Sequence, residues 1–221
     1  MPEPTPAAGR IVLIAGATGA SGRAAASALL GAGARVVTVG SNRGRLDALA
    51  RDLPGTVPLL CDLTDAAAVA ALATHVHETV GPLDGLIHLV GGWRGGGGLA
   101  GQSDDDWEFL EQSLTALRLT SRAFYDDLVA SPAGRLAMVS SVSVEHPTAG
   151  GANYAALKAA AETWTRAVAQ GFAKAGDTAA ATIFVVRSLE GLEGELAARV
   201  VGLWDAPAAE LNAARVPLSA G

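Results

Sequence analysis

A tyrosine and a lysine stand four residues apart in the run NYAALKAAAETW, as Tyr154 and Lys158, and the serine pair Ser140-Ser141 precedes them by thirteen residues. On a helix, positions i and i+4 share a face, so the Lys158 ammonium can approach the Tyr154 phenol and favour its ionised form. A tyrosine so placed can trade a proton near neutral pH. A serine closing a neighbouring strand can hydrogen-bond the same substrate oxygen, and together these are the parts of general acid catalysis on a carbonyl. The same spacing also fits an exposed amphipathic helix with no chemistry, so the surrounding elements must decide.

Those elements alternate. Short apolar runs ending in glycine or polar residues read as buried strands at residues 10–15, 35–40, 57–60, 83–90, 135–140, 179–186 and 215–218. Between them, helical patterns run over 21–33, 43–53, 65–80, 104–130, 153–175 and 193–203. Strands written as continuous apolar runs, each followed by a helix, predict a parallel sheet covered on both faces. The expected fold class is α/β, a three-layer, doubly wound Rossmann-like arrangement with strand order 3-2-1-4-5-6-7. The 221 residues are enough for one sizeable core, so we expect a single domain over residues 10–221 behind a loose, proline-rich tail at 1–9.

After the first strand the chain reads GATGASG, which places Gly16, Gly19 and Gly22 at the turn into a helix. Glycines there let the backbone approach a pyrophosphate, and free amides at a helix start favour its charge. A tight turn with close helix packing needs the same glycines. An NAD site commonly carries a carboxylate at the end of the second strand, whereas this chain has Ser41, Asn42 and Arg43. A hydroxyl, an amide and a guanidinium suit an added 2′-phosphate, so NADP(H) is favoured over NAD(H). Asp62, after the third strand, can accept from the adenine amino group or cap the next helix, a task for which Asp65 is better placed.

Composition removes other classes. The net charge of -6, with no basic block, argues against binding nucleic acid through its phosphates. Cys61 is the single cysteine, and no Cys or His spacing suits a metal. The start MPEPTPAAGR lacks the pattern of a signal peptide, and no apolar run reaches membrane-spanning length, so a cytoplasmic protein is expected.

With the glycine turn, Asp62, Ser141, Tyr154 and Lys158 in this order, the chain resembles the short-chain dehydrogenase/reductase family over essentially its whole length. The resemblance implies that Tyr154 is the acid/base, that Lys158 lowers its pKa and binds the nicotinamide ribose, and that Ser141 rather than Ser140 positions the carbonyl. Hydride would pass between NADP(H) and a ketone, aldehyde or alcohol carbon of a small molecule. The resemblance also implies a homodimer or homotetramer packed through the two long helices.

Several positions depart from the family pattern. Asn-Asn-Ala-Gly after the fourth strand is replaced by His88, Leu89, Val90 and Gly91, of which only the glycine is retained for cofactor contact. Ser113 stands near the place of a helical asparagine and is our candidate anchor for a water relay to Lys158. Arg187, Ser188 and Leu189 replace the usual residues after the sixth strand, and the helical substrate lid is missing there. A bulky substrate, a neighbouring subunit or loss of catalysis would each account for that. The stretch GGWRGGGG reads as a flexible surface loop, with Trp93 and Arg94 as alternative substrate contacts, and His146 and Glu145 border the cleft. The alternative functions are a nucleotide-binding regulator or partner subunit without redox activity, and a dehydratase, epimerase or cyclase using the same tyrosine.

Overall fold

The computed structural model describes residues 5–219. Its sheet is built from β1 (Ile11–Ala15), β2 (Arg35–Gly40), β3 (Val57–Leu60), β4 (Gly85–His88), β5 (Arg135–Ser141), β6 (Ala180–Val186) and β7 (Arg215–Pro217). All pairings are parallel, and the order is β3-β2-β1-β4-β5-β6-β7, the doubly wound topology. Around it lie α1 (Ala20–Gly31), α2 (Arg43–Asp52), α3 (Ala66–Thr79), α4 (Asp104–Ala123), α5 (Tyr125–Ala130), α6 (Ala152–Ala175), α7 (Glu193–Val201) and the short α8 (Ala208–Leu211).

Alternate residues of each strand enter opposite cores, because strand side chains alternate with period two. Leu13, Val37, Leu86 and Leu136 join Val76, Phe124 and Phe172 from α3, the α4–α5 junction and α6. Val12, Ile14, Ile87 and Phe184 face the other way, onto Leu29 of α1, Leu196 of α7 and Trp204. Each fully buried Leu or Phe contributes about 1.5–3 kcal/mol. Burial on both faces accounts for the apolar runs within the central strands, and it holds the strand ends in register. Ser141 lies opposite Val186, which brings the residues after β6 beside the serine.

The structure differs from the expected elements in a few places. The helix expected over 104–130 breaks at Phe124, which leaves helical geometry (φ -113°, ψ 13°) with its ring fully buried. The break lets Asp127 accept from the Leu83 backbone N–H at 3.0 Å and meet His77 at 2.8 Å. β4 is shorter than the predicted 83–90, because the chain beyond His88 folds around the turn at Gly16. Of the expected tail, residues 1–4 lie outside the described residues, while Thr5 donates to the Ala32 carbonyl at 2.6 Å and Ala7 is fully buried. No described helix is long and apolar enough to cross a membrane.

Candidate active site

Ser141, Tyr154 and Lys158 line one cavity of about 390 Å3 at the carboxyl edge of the sheet, with His88 to Trp93 on one wall and Val186 to Leu189 on another. The strand end supplies Ser141, and two successive turns of α6 supply Tyr154 and Lys158, so the predicted trio does converge. Lys158 Nζ donates to the Val139 carbonyl at 2.8 Å and sits 5.7 Å from the centre of the Tyr154 ring. Burial draws the Lys158 ammonium down to about 8, against the pull of Glu162 in the other direction.

Tyr154 departs from the expectation that Lys158 dominates it. Burial raises the phenol above its ordinary value, and the neighbouring Ser141 hydroxyl pulls it the other way. The ammonium is held on the Val139 carbonyl rather than at the phenol oxygen, so in this state desolvation wins. The phenol is therefore protonated at neutral pH and ready to donate. Ser141 Oγ itself contacts Ser143 Oγ and accepts from the Ser143 backbone N–H, each at 3.1 Å, which fixes it at the cavity wall.

Sequence reasoning noted His88 only as a departure, yet it is the residue most altered by its surroundings. It is 4% exposed, and burial followed by the nearby Lys158 charge pushes its pKa down to about 3. A hydrogen bond with the Ser113 backbone works against that shift, and Nδ1 has no partner among the described residues. The ring is thus neutral, with its N–H on the Ser113 carbonyl side and Nδ1 as a bare acceptor. The Ser113 hydroxyl, our candidate relay anchor, is spent on the Leu110 carbonyl of its own helix at 3.1 Å, leaving its backbone as the group that reaches the site.

A smaller cavity of about 160 Å3 lies across the ends of β1 and β2, lined by Gly16, Thr18, Gly40, Ser41, Asp62 and Val90 among others. Val90 lines both cavities, so one groove crosses the point where the strand order reverses, where such sheets bind ligands. Gly16 takes φ +83°, and a Cβ there would stand 2.8 Å from the Leu89 carbonyl carbon. Gly22 would place a Cβ 2.6 Å from the Ala17 backbone, so it serves helix packing. Gly19 caps α1 with no side-chain hydrogen bond, leaving the first-turn amides open to an anion.

The residues expected to discriminate between cofactors divide. Ser41 and Asp62 line the smaller cavity, and Asp62 Oδ1 is held by the Thr64 backbone N–H at 2.9 Å and its hydroxyl at 2.6 Å. Asp65 caps α3, accepting from Ala67 and Ala68. Asn42, its amide expected to suit a 2′-phosphate, caps α2 by accepting from the Arg45 N–H at 3.0 Å. Arg43 opens α2 and lines a groove against Leu59 and His75 rather than this cavity. Gly91 lies beside Lys158, a Cβ there being 3.8 Å from Nζ.

The glycine-rich loop is not loose. Gly96 N–H donates to the Gly150 carbonyl at 2.8 Å, and Gln102 Nε2 donates to the Gly96 and Gly150 carbonyls at 3.0 Å each. Gln102 Oε1 accepts from the Asn153 N–H at 3.1 Å, which ties the loop to the start of α6. Arg94 stacks 4.1 Å over the Phe109 ring, while Trp93 is 62% exposed at the cavity mouth. Only residues 187–192 join β6 to α7, so no helix stands over the site from that side.

Known proteins share this fold. A family model described as short chain dehydrogenase matches residues 10–185. The 3-oxoacyl-[acyl-carrier-protein] reductase FabG of Vibrio harveyi is 30% identical over 172 residues, covering 77% of this chain and 70% of that protein. A metagenomic short-chain oxidoreductase crystallised with NADP is 25% identical, with a TM-score of 0.86 over 98% of this chain and 100% of that one. An NADPH-bound short chain oxidoreductase from Pseudomonas aeruginosa PAO1, containing an atypical catalytic center, shares the fold at 22% identity and a TM-score of 0.81, over 96% of each chain. This chain belongs to the short-chain dehydrogenase/reductase family of oxidoreductases.

Proposed function

We propose that the protein is an NADP(H)-dependent reductase of ketones or aldehydes, working also in reverse on alcohols, with Ser141, Tyr154 and Lys158 as its catalytic residues. The convergence of those three side chains on one cavity carries the reading. Tyr154, kept protonated by burial, gives its proton to the substrate oxygen, and the Ser141 hydroxyl hydrogen-bonds the same oxygen. Lys158, anchored on the Val139 carbonyl, keeps N–H donors for the nicotinamide ribose and steadies the phenolate that Tyr154 becomes. Bound NADPH would supply the hydride. The turn at Gly16 and Gly19, with the packing allowed by Gly22, fits the pyrophosphate, Ser41 and Asp62 fit the adenosine end, and Gly91 and Lys158 fit the nicotinamide end. NADP(H) over NAD(H) rests on the absence of an acid at residues 41–43 and on Arg43, which must turn from its groove to reach a 2′-phosphate.

A homodimer or homotetramer through α4 and α6 is part of the proposal. Arg122 of α4, Tyr125 of α5 and Trp164, Val168 and Gly171 of α6 line a shallow groove, which gives a second copy a largely apolar face to cover. The rival reading, a nucleotide-binding protein without turnover, draws on the short 187–192 link. Following NADPH absorbance against a panel of ketones and aldehydes separates them. The reductase reading predicts NADPH consumption matched by alcohol; tight NADPH binding with no carbonyl consumed favours the rival.

A further inference from the structure

Two consecutive residues of β5 hold side chains from two consecutive turns of α6. The Val139 carbonyl accepts from Lys158 at 2.8 Å, and the Ser140 hydroxyl donates to Glu162 Oε1 at 2.6 Å. Glu162 is 1% exposed, and a carboxylate so deep needs cations around it. They come from two elements. Arg215 of β7 places Nη2 3.1 Å from Oε1 and Nε 3.0 Å from Oε2, and Arg166 of α6 donates to Oε2 at 3.2 Å. The Arg215 Nε–H is not aimed at an acceptor, so that last Arg215 contact is a charge contact rather than a hydrogen bond. Arg215 also pairs with Glu145, in the turn that follows Ser141.

A buried ion pair is poor value as a source of stability, since apolar side chains of similar volume often do as well. The placement of this one suggests a different use. We propose that Glu162, compensated by Arg215, is a positioning residue for the reaction: it locks α6 against the end of β5 through Ser140 and sets its carboxylate one helical turn from the Lys158 ammonium. The proposal rests on the role given to Lys158 above.

Around Lys158 stand Tyr154 and Glu162 four residues before and after it on its own helix, His88 at the end of β4 and Arg187 after β6. His88 is neutral, and Arg187 is exposed, so neither favours the charged ammonium. Glu162 is the group that raises it against desolvation. Glu162 lies one turn on from Lys158, and the strand bonds at Val139 and Ser140 fix that spacing.

The chain has only two lysines, Lys158 and Lys174, so carbon-13-labelled lysine gives two side-chain signals, with Lys158 identified by comparison with Lys174→Arg. In the full-length protein, Glu162→Gln keeps the volume and can still accept from Ser140. The proposal expects the Lys158 titration midpoint to fall by about one pH unit, and the alkaline limb of kcat to move with it. Packing alone predicts no movement, so an unmoved midpoint in the folded variant overturns the proposal. If uncompensated Arg215 prevents folding, the double variant Glu162→Gln/Arg215→Gln removes both charges. Its midpoint must still fall, by less than in the single variant because the more distant Arg215 charge leaves with that of Glu162, and an unchanged midpoint again overturns the proposal. The titration needs no substrate. A lowered midpoint in a protein that reduces no carbonyl would support the positioning role while overturning the reductase reading.

Discussion

The two ends of the groove are built differently. At the Tyr154 end the lining carries Lys158, Arg187 and the neutral His88 with no carboxylate, and regular helix and strand fix the reacting groups. At the Ser41 end the lining carries Asp62 and no cation, and the discriminating residues sit on turns and a helix start. Proton chemistry needs side chains held to a fraction of an ångström, which periodic elements provide. Cofactor choice needs only one charge within reach, and under the proposed NADP(H) use Arg43 would supply it by turning from its groove.

Changes at the Tyr154 end are expected to act on rate. Tyr154→Phe removes the proton donor with little change in volume, so kcat should fall on the order of 10²–10⁴-fold while NADPH titration by fluorescence stays close to wild type. A variant that loses cofactor binding along with rate would erase the distinction between the ends. Gly16→Ala should do the reverse. Its Cβ would press on the Leu89 carbonyl at φ +83°, so it should cost about 1–3 kcal/mol of stability in urea unfolding and weaken NADPH binding. Arg43→Gln tests the charge at the turn: NADPH affinity should drop roughly tenfold with NADH affinity unchanged. Equal loss of both, or tighter NADH in the wild type, would remove the case for NADP(H).

The smallest expected effect concerns acid stability. His88 is depressed to about 3 in the folded chain against 6.5 when unfolded, so its contribution is intact above 6.5. It is lost as pH falls through that window, because the unfolded chain takes up the proton first. His88→Asn should therefore lower the acid unfolding midpoint by roughly a few tenths of a pH unit. Lys158 acts with the same sign at higher pH: its folded value of about 8 lies below 10.5, so stability rises with pH between those values.

Much of this was legible in the chain. The strand order followed from apolar runs separated by helices, and the i, i+4 spacing placed Tyr154 and Lys158 on one face of α6. Asp65 as the α3 cap was readable from its position before AAAVAAL. What pattern did not reveal was partnership between distant elements. Glu162 stands four residues after Lys158 and four before Arg166, spacing that reads as ordinary helical ion pairing, but its other cation, Arg215, lies 53 residues away on β7. Gln102 looked like any loop residue because its partners at Gly150 and Asn153 are brought to it by the fold. The break at Phe124 was hidden too, since no proline or glycine marks it and only burial of the ring accounts for it.

The central claim is that the Tyr154 end performs proton-coupled hydride transfer. The direct test supplies NADPH deuterated at the nicotinamide carbon 4, on each face in turn, with a ketone that the protein consumes, and locates the label by mass spectrometry. The account predicts deuterium on the carbinol carbon from one face alone, at a rate that collapses in Tyr154→Phe. Bound NADPH that transfers no label, or a Tyr154→Phe variant that transfers it as fast as the wild type, would contradict it.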